Sequence, residues 1–178
     1  MRTRTESPEV LYSDDPIVTV DAGDIAAMKR AAENNPRRRI RLCAHRSVDV
    51  PVHEMLIVHT IDTYVRPHKH LGKSESFHVI DGDVDVVIFS DDGAVADVIP
   101  MGSFQSGRPF FYRIADPLYH TLLIRSPVLV FHEATTGPFK REETAFAPWA
   151  PADDRPDAVE RFLADLNAAV AARRSTRP

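Results

Sequence analysis

Short apolar runs with alternating character dominate the middle of the chain. They occupy residues 55–58, 84–89, 95–99, 110–114 and 128–131. Turn signals separate them, and the clearest is Asp92-Gly93, because glycine accepts the positive φ that a tight hairpin demands. Short strands at regular spacing, with no helical pattern between them, are typical of an antiparallel sandwich or barrel. The pattern therefore predicts a mainly β domain over residues 39–134.

Helical patterns flank this region on both sides. Residues 24–34 place apolar side chains on one helical face before Pro36, which predicts a short helix in an N-terminal leader, residues 1–38. Residues 135–178 begin as a proline-rich segment and close with a second amphipathic helix. We expect its apolar stripe to pack on the outside of the barrel, with a dimer contact as the alternative. Homodimerisation is also possible through a sheet edge.

Composition limits the classes of partner. The 178 residues are 43% hydrophobic and carry a formal net charge of −4, which indicates neither a nucleic-acid surface nor a membrane surface. The single cysteine, Cys43, cannot form an internal disulfide, and residues 1–6 contain no apolar signal segment. These features predict a cytoplasmic protein whose partner is a small molecule.

The segment from Arg66 to Gly82 carries the clearest chemistry. His68 and His70 are two residues apart, so on a strand both imidazoles point to one face. Glu75 follows after Gly72, where the chain can bend and return a carboxylate to that face. His120, at the start of a later apolar run, is the candidate fourth ligand. Such a nitrogen-oxygen set suits one iron, manganese, nickel, copper or zinc ion, and does not suit calcium or magnesium.

Several other side chains are weaker candidates, and no catalytic residue is assigned. His78 is out of phase with Glu75 and should face away from the pocket, whereas at most one of the neighbours His132 and Glu133 faces the metal. The residues that could line the pocket as a proton donor or an anion clamp are Tyr112, Tyr119, His59 and Arg66.

The chain resembles the WbuC-family cupin fold metalloproteins. The resembling segments are Arg66-Pro67-His68-Lys69-His70, residues 72–78, Phe111-Tyr112-Arg113-Ile114 and residues 132–151. The resemblance implies a jelly-roll barrel, metal ligands at the positions of His68, His70, Glu75 and His120, and an association with bacterial polysaccharide gene clusters. It implies no established reaction. Ala115 and Pro117 depart from the general cupin pattern in the turn before His120, which leaves the approach of that residue to the metal open.

Three functions are consistent with these sequence features. The first is a metal-dependent enzyme, such as an isomerase, epimerase or oxygenase, acting on a small sugar-like or sugar-acid substrate. The second is a non-catalytic cupin that binds a metal or a small ligand. The third is a metal-independent sugar-nucleotide isomerase that would use the His/Glu cluster as acid and base.

Overall fold

The computed structural model describes residues 1–175 and contains twelve strands and two α-helices. The strands are β1 Thr3–Ser7, β2 Val10–Ser13, β3 Arg39–Cys43, β4 Val52–Thr60, β5 His68–His70, β6 Glu75–Asp81, β7 Asp83–Phe89, β8 Val95–Gly102, β9 Phe111–Ile114, β10 Tyr119–Ile124, β11 Val128–Thr136 and β12 Thr144–Phe146. The helices are α1 Ala22–Asn34 and α2 Pro156–Ser175, and Phe104–Ser106 and Arg141–Glu143 form short 3-10 turns.

The strands form two sheets of unequal size. The larger sheet has the order β1-β2-β3-β4-β11-β6-β9, and the smaller has the order β12-β5-β10-β7-β8. Every neighbouring pair is antiparallel except β2 and β3. Consecutive strands switch repeatedly between the sheets, as in a jelly roll. The predicted mainly β jelly roll is confirmed.

The core lies between the two sheets. Phe77 and Phe131 are each 1% exposed, and their ring centroids are 4.3 Å apart. The aliphatic side chains of Val84, Val86 and Leu129 complete this cluster. Fully burying one such side chain contributes about 1.5–3 kcal/mol. The stacked rings stabilise the inner face of the larger sheet, where strands β6 and β11 pair.

Each helix covers the outer face of one sheet. Helix α1 begins at a capping box, in which Asp21 accepts from the backbone of Asp24 and the Asp24 side chain accepts in return. Its buried residues Met28 and Ala32 pack on Ile40 of the larger sheet. Helix α2 packs in the same way on the smaller sheet, through the residues Leu166 and Val170 against Val87, Val98 and Leu123. The predicted position of the helices outside the barrel is therefore confirmed, and the apolar stripe of α2 faces this barrel.

The hairpin between β7 and β8 turns at the predicted Asp92-Gly93 pair. Gly93 has a φ of +92°, and the backbone nitrogen of Ser90 donates to the oxygen of Ala94. A Cβ on Gly93 would lie 2.9 Å from the Trp149 ring. The turn therefore needs glycine both for its backbone conformation and for the close approach of the C-terminal segment.

The expected segment boundaries cut through the sheets. Strands β1 and β2 lie within residues 1–38 but pair onto the larger sheet. Strand β12 lies within residues 135–178 but pairs with β5, and β11 continues to Thr136. Local patterning could not show this, because strand pairing joins residues that are distant in the sequence. Residues 176–178 of the expected C-terminal segment lie outside the described residues.

Candidate metal centre

Two adjacent strands of the smaller sheet carry the three histidines. His68 and His70 lie on β5 with one residue between them, so both side chains point to the inner face. On β10, His120 is the direct antiparallel partner of His68. The His68 and His120 ring centroids are 4.7 Å apart. The departures at Ala115 and Pro117 do not keep His120 from the other histidines.

The larger sheet supplies the carboxylate. Leu71 to Ser74 connects β5 to β6, and Gly72 accepts a φ of +69° in this connection. Glu75 is the first residue of β6 and is 5% exposed. Glu75 Oε2 lies 3.1 Å from His70 Nε2, and Glu75 Oε1 accepts a 2.8 Å hydrogen bond from Tyr112 Oη. The short connection therefore carries the chain from one sheet to the other and brings the carboxylate to the imidazoles.

The four side chains form a group that could hold one metal ion. One possible ligand atom from each of His68, His70, Glu75 and His120 lies within 4.8 Å of the others. The nitrogen-oxygen donor set fits a divalent transition metal.

The other ring nitrogens of the histidines are held by neighbouring groups. His68 Nδ1 lies 2.8 Å from the carbonyl oxygen of Arg66, and His120 Nδ1 lies 3.0 Å from that of Leu118. A carbonyl can only accept, so in both rings Nδ1 carries the hydrogen and Nε2 keeps its lone pair. His70 Nδ1 lies 3.3 Å from Thr144 Oγ1. Such second contacts fix ring orientation in metal sites, and here they leave Nε2 directed to the centre.

Burial sets the charge states within the group. Burial, followed by the neighbouring His120, lowers the pKa of His68 to about 4, so this ring is neutral near pH 7. Burial opposes the charge on Glu75, but the hydrogen bond from His70 and the proximity of His120 outweigh it and lower the pKa of Glu75 to about 2. A neutral imidazole and an ionised carboxylate are the forms that bind metals.

A cavity of about 310 Å³ opens beside His68, His70 and Glu75. This volume lies at the lower end of the range for ligand pockets, about 300–1,000 Å³, and suits a small molecule. Strands of the larger sheet and the segment after β11 form its walls. The lining includes His68, His70, Glu75, Glu133, Arg41, Cys43, Met55, Lys73, Phe139 and Thr144.

Two of the four weaker candidates lie beside the centre. The Tyr112 hydroxyl bonds Glu75, and burial together with the charge on Glu75 raises the pKa of Tyr112 well above its usual value. His59 is 7% exposed and lines a small cavity that also contacts His68, Glu75 and His120. Burial and the nearby Arg39 lower the pKa of His59 to about 3.

The other two candidates lie elsewhere. Tyr119 precedes His120 on β10, so its side chain points to the opposite face, where it packs against Trp149. The Arg66 guanidinium lies over the Phe146 ring, 4.9 Å from its centroid, and only the backbone carbonyl of Arg66 reaches the site. The expectation that the Tyr119 and Arg66 side chains line the pocket is corrected accordingly.

Sequence reasoning missed Arg41 and left open which of His132 and Glu133 faces the centre. Glu133 lies two residues after Phe131, which packs in the core, so strand alternation directs Glu133 into the cavity and His132 away from it. His78 is directly opposite His132 and contacts Phe110, outside the group. Burial and the charge on Glu75 raise the pKa of Glu133 well above its ordinary value. Counting in steps of two from Phe131 could have identified this residue.

Comparison with known sequences gives a family match without an activity. Residues 20–101 match a domain of unknown function, DUF6016, which is less than half of the chain. The matched range contains His68, His70 and Glu75 and ends before His120. No curated protein matches the sequence. Membership of the WbuC family therefore stays a prediction.

One solved structure among those compared supports the fold, with a TM-score above 0.5. Protein SO0799 from Shewanella oneidensis has a TM-score of 0.53 at 8% identity, with 72% of this chain and 85% of that chain covered. Bacillus subtilis oxalate decarboxylase matches at a TM-score of 0.44 and 15% identity, covering 54% of this chain and 24% of the decarboxylase. A Silicibacter pomeroyi sugar phosphate isomerase, described as from a cupin superfamily, matches at 0.39 and 18%, covering 49% and 52%. The chain thus spans about a quarter of the decarboxylase and half of the isomerase.

Proposed function

We propose that this protein is a metal-dependent enzyme that acts on a small polar substrate of the sugar or sugar-acid type. His68, His70, Glu75 and His120 would hold one divalent transition metal. The convergence of these four donors, three of which line a small cavity, carries the proposal. A bound metal would polarise an oxygen of the substrate and lower the pKa of bound water.

The residues around the centre have defined tasks in this proposal. Tyr112 holds Glu75 in place through the 2.8 Å hydrogen bond. Glu133 faces the cavity and makes no hydrogen bond or ion pair through its carboxyl within residues 1–175, so it is placed to exchange a proton with a substrate. A role in bacterial polysaccharide metabolism, a cytoplasmic location and a homodimeric state belong to the same proposal and rest on the sequence alone. Among the described residues, neither helix is long and apolar enough to cross a membrane.

One contact favours a second candidate, a metal-independent isomerase. The 3.1 Å contact between His70 and Glu75 is the geometry of an acid–base pair that could move a proton without a metal. A non-catalytic binding protein would use the same donors without turnover.

Metal content distinguishes the first two candidates. Plasma mass spectrometry on protein purified without chelators should find near-stoichiometric iron, manganese, nickel, copper or zinc. The His68→Ala/His70→Ala double variant should lose the metal, whereas the control His78→Ala, altered outside the group, should keep it. A folded wild type that holds no metal even after reconstitution would contradict the proposal and favour metal-free acid–base chemistry. Binding of substrate candidates without turnover by the loaded protein would favour the binding role.

A further inference from the structure

Four basic side chains border the cavity beside the metal centre or the cavity next to it, and three of them are already paired: Lys73, Arg37 and Arg39. Lys73 lies 3.1 Å from Glu143 and donates to the carbonyl oxygen of Pro138 at 2.9 Å. A neighbouring cavity of about 280 Å³ contacts Arg37 and Arg39, and both pair with Glu9, at 2.5 and 3.3 Å. The charges of these three cations are therefore used to hold the protein together.

Arg41 differs from these side chains. Within residues 1–175, no carboxylate oxygen lies within 4.0 Å of its guanidinium. Arg41 lines both cavities, together with His68 and Glu133. An exposed arginine is ordinary on a protein surface, but this one shares its cavity with the candidate metal ligands.

The backbone explains why Arg41 takes this position. Ile40 and Leu42 point to the outer face of β3 and pack against α1, so alternation turns Arg41 to the inner face. The smaller sheet has only five strands and pairs none of them with β2 or β3. The guanidinium therefore lies on the inner face at the open side of the cavity.

We propose that Arg41 binds the carboxylate of the substrate, so that the substrates are small hydroxy acids rather than neutral sugars. This inference rests on the proposed function for the other end of the substrate, where an oxygen would meet the metal. The planar guanidinium matches a carboxylate with two parallel hydrogen bonds. One unpaired cation balances one negative charge. A doubly charged phosphate ester would need a second free cation, and Lys73, Arg37 and Arg39 are already paired.

Calorimetric titration of the metal-loaded protein tests the inference. The probes are the monocarboxylates gluconate and glucuronate, beside their neutral counterparts glucitol and glucose and the ester glucose 6-phosphate. At least one carboxylate should bind the wild type, more tightly than its neutral counterpart. Arg41→Gln should weaken that binding tenfold or more, and Arg41→Lys, which keeps the charge but loses the planar fork, should weaken it less.

The matched control is Arg113→Gln. Arg113 is also an exposed arginine on a strand of the larger sheet, but it neighbours the inward-facing Tyr112 and therefore points outward. This variant should bind like the wild type. The inference is overturned if no carboxylate binds, if binding is unchanged in Arg41→Gln, or if glucose 6-phosphate binds through Arg41 more tightly than every carboxylate. Circular dichroism of each variant verifies that it is folded.

The same titrations separate this inference from the proposed function. Metal loading that survives while Arg41→Gln has no effect would remove the carboxylate anchor and leave the metal centre standing. If the protein takes up no metal but still binds a carboxylate through Arg41, the metal centre is removed and the carboxylate anchor is kept.

Discussion

The two sheets contribute different chemistry to one cavity. The smaller sheet supplies the three imidazoles, His68, His70 and His120, from two paired strands. The larger sheet supplies the acidic groups Glu75 and Glu133. Tyr112 and Arg41 also come from the larger sheet. Neither sheet alone offers a complete ligand set, so the site forms only when the two sheets pack together.

The sheets also differ in how closely the site is joined to the core. On the larger sheet, Phe77 lies two residues after Glu75 and stacks on Phe131, which lies two residues before Glu133. On the smaller sheet, His68 and His70 are only half-buried and lie beside the open cavity. The larger sheet therefore supports both the fold and the site, whereas the β5 histidines serve the site.

The largest expected effect on stability is at Phe77, in the core of the larger sheet. Phe77→Ala should lower the free energy of unfolding by about 3–5 kcal/mol, because it removes a buried ring and leaves a cavity. His70→Ala, on the half-buried β5 strand, should change stability by about 1 kcal/mol or less in the metal-free protein. Urea denaturation of both variants checks the contrast. Equal losses would mean that the two sheets support the fold alike.

The second prediction concerns metal affinity. His120→Ala should weaken zinc binding by more than about 100-fold, because removing a ligand should cost more than the 10–100-fold typical of second-sphere partners. Competition with a chromophoric chelator measures the dissociation constant. His78→Ala, on the outer face, should leave it unchanged. Unaltered affinity in His120→Ala would remove this residue from the ligand set.

The third prediction concerns the pH dependence of stability that the buried His59, on β4 of the larger sheet, should cause. The pKa of His59 is about 3 in the folded protein and 6.5 ordinarily, so below pH 6.5 the unfolded state takes up a proton that the folded state does not. The contribution is fully present above pH 6.5 and decreases as the pH falls toward 3. Between pH 6.5 and 5, the metal-free wild type should lose about 1.6 kcal/mol more stability than His59→Phe. Parallel curves for the two proteins, from urea denaturation at each pH, would contradict this.

The smallest expected effect concerns the support that the larger sheet gives to its own ligand. Tyr112→Phe removes the hydroxyl that bonds Glu75 but keeps the ring stacked on Phe77, at 5.2 Å between centroids. We expect zinc affinity to fall by about tenfold, the lower limit for a second-sphere partner. Tyr119→Phe is the matched control, because Tyr119 faces away from the site. A change of similar size in both variants would show that Tyr112 acts through packing.

The sequence predicted the candidate metal ligands better than it predicted the other residues that line the cavity. His68, His70 and Glu75 lie within eight residues, and their spacing indicates a metal without any knowledge of strand pairing. Arg41 carries no such local signal. It is ninety-two residues before Glu133 in numbering, and the two meet only through β4, which pairs with both of their strands. Tyr119 was misplaced because strand alternation was not applied to it: as the residue directly before His120 on β10, it points to the opposite face.

The sequence by itself determined the mainly β architecture, the flanking helices, the Asp92-Gly93 hairpin and the four candidate ligands, because each depends on local alternation, turn chemistry or short spacing. Only the tertiary structure decided that β1, β2 and β12 join the sheets, that Tyr112 holds Glu75, and that Arg41 lines the cavity. These features depend on which strands pair and how far one sheet extends beyond the other. Such contacts arise between residues far apart in the chain, where hydrophobic patterning carries no information about partners.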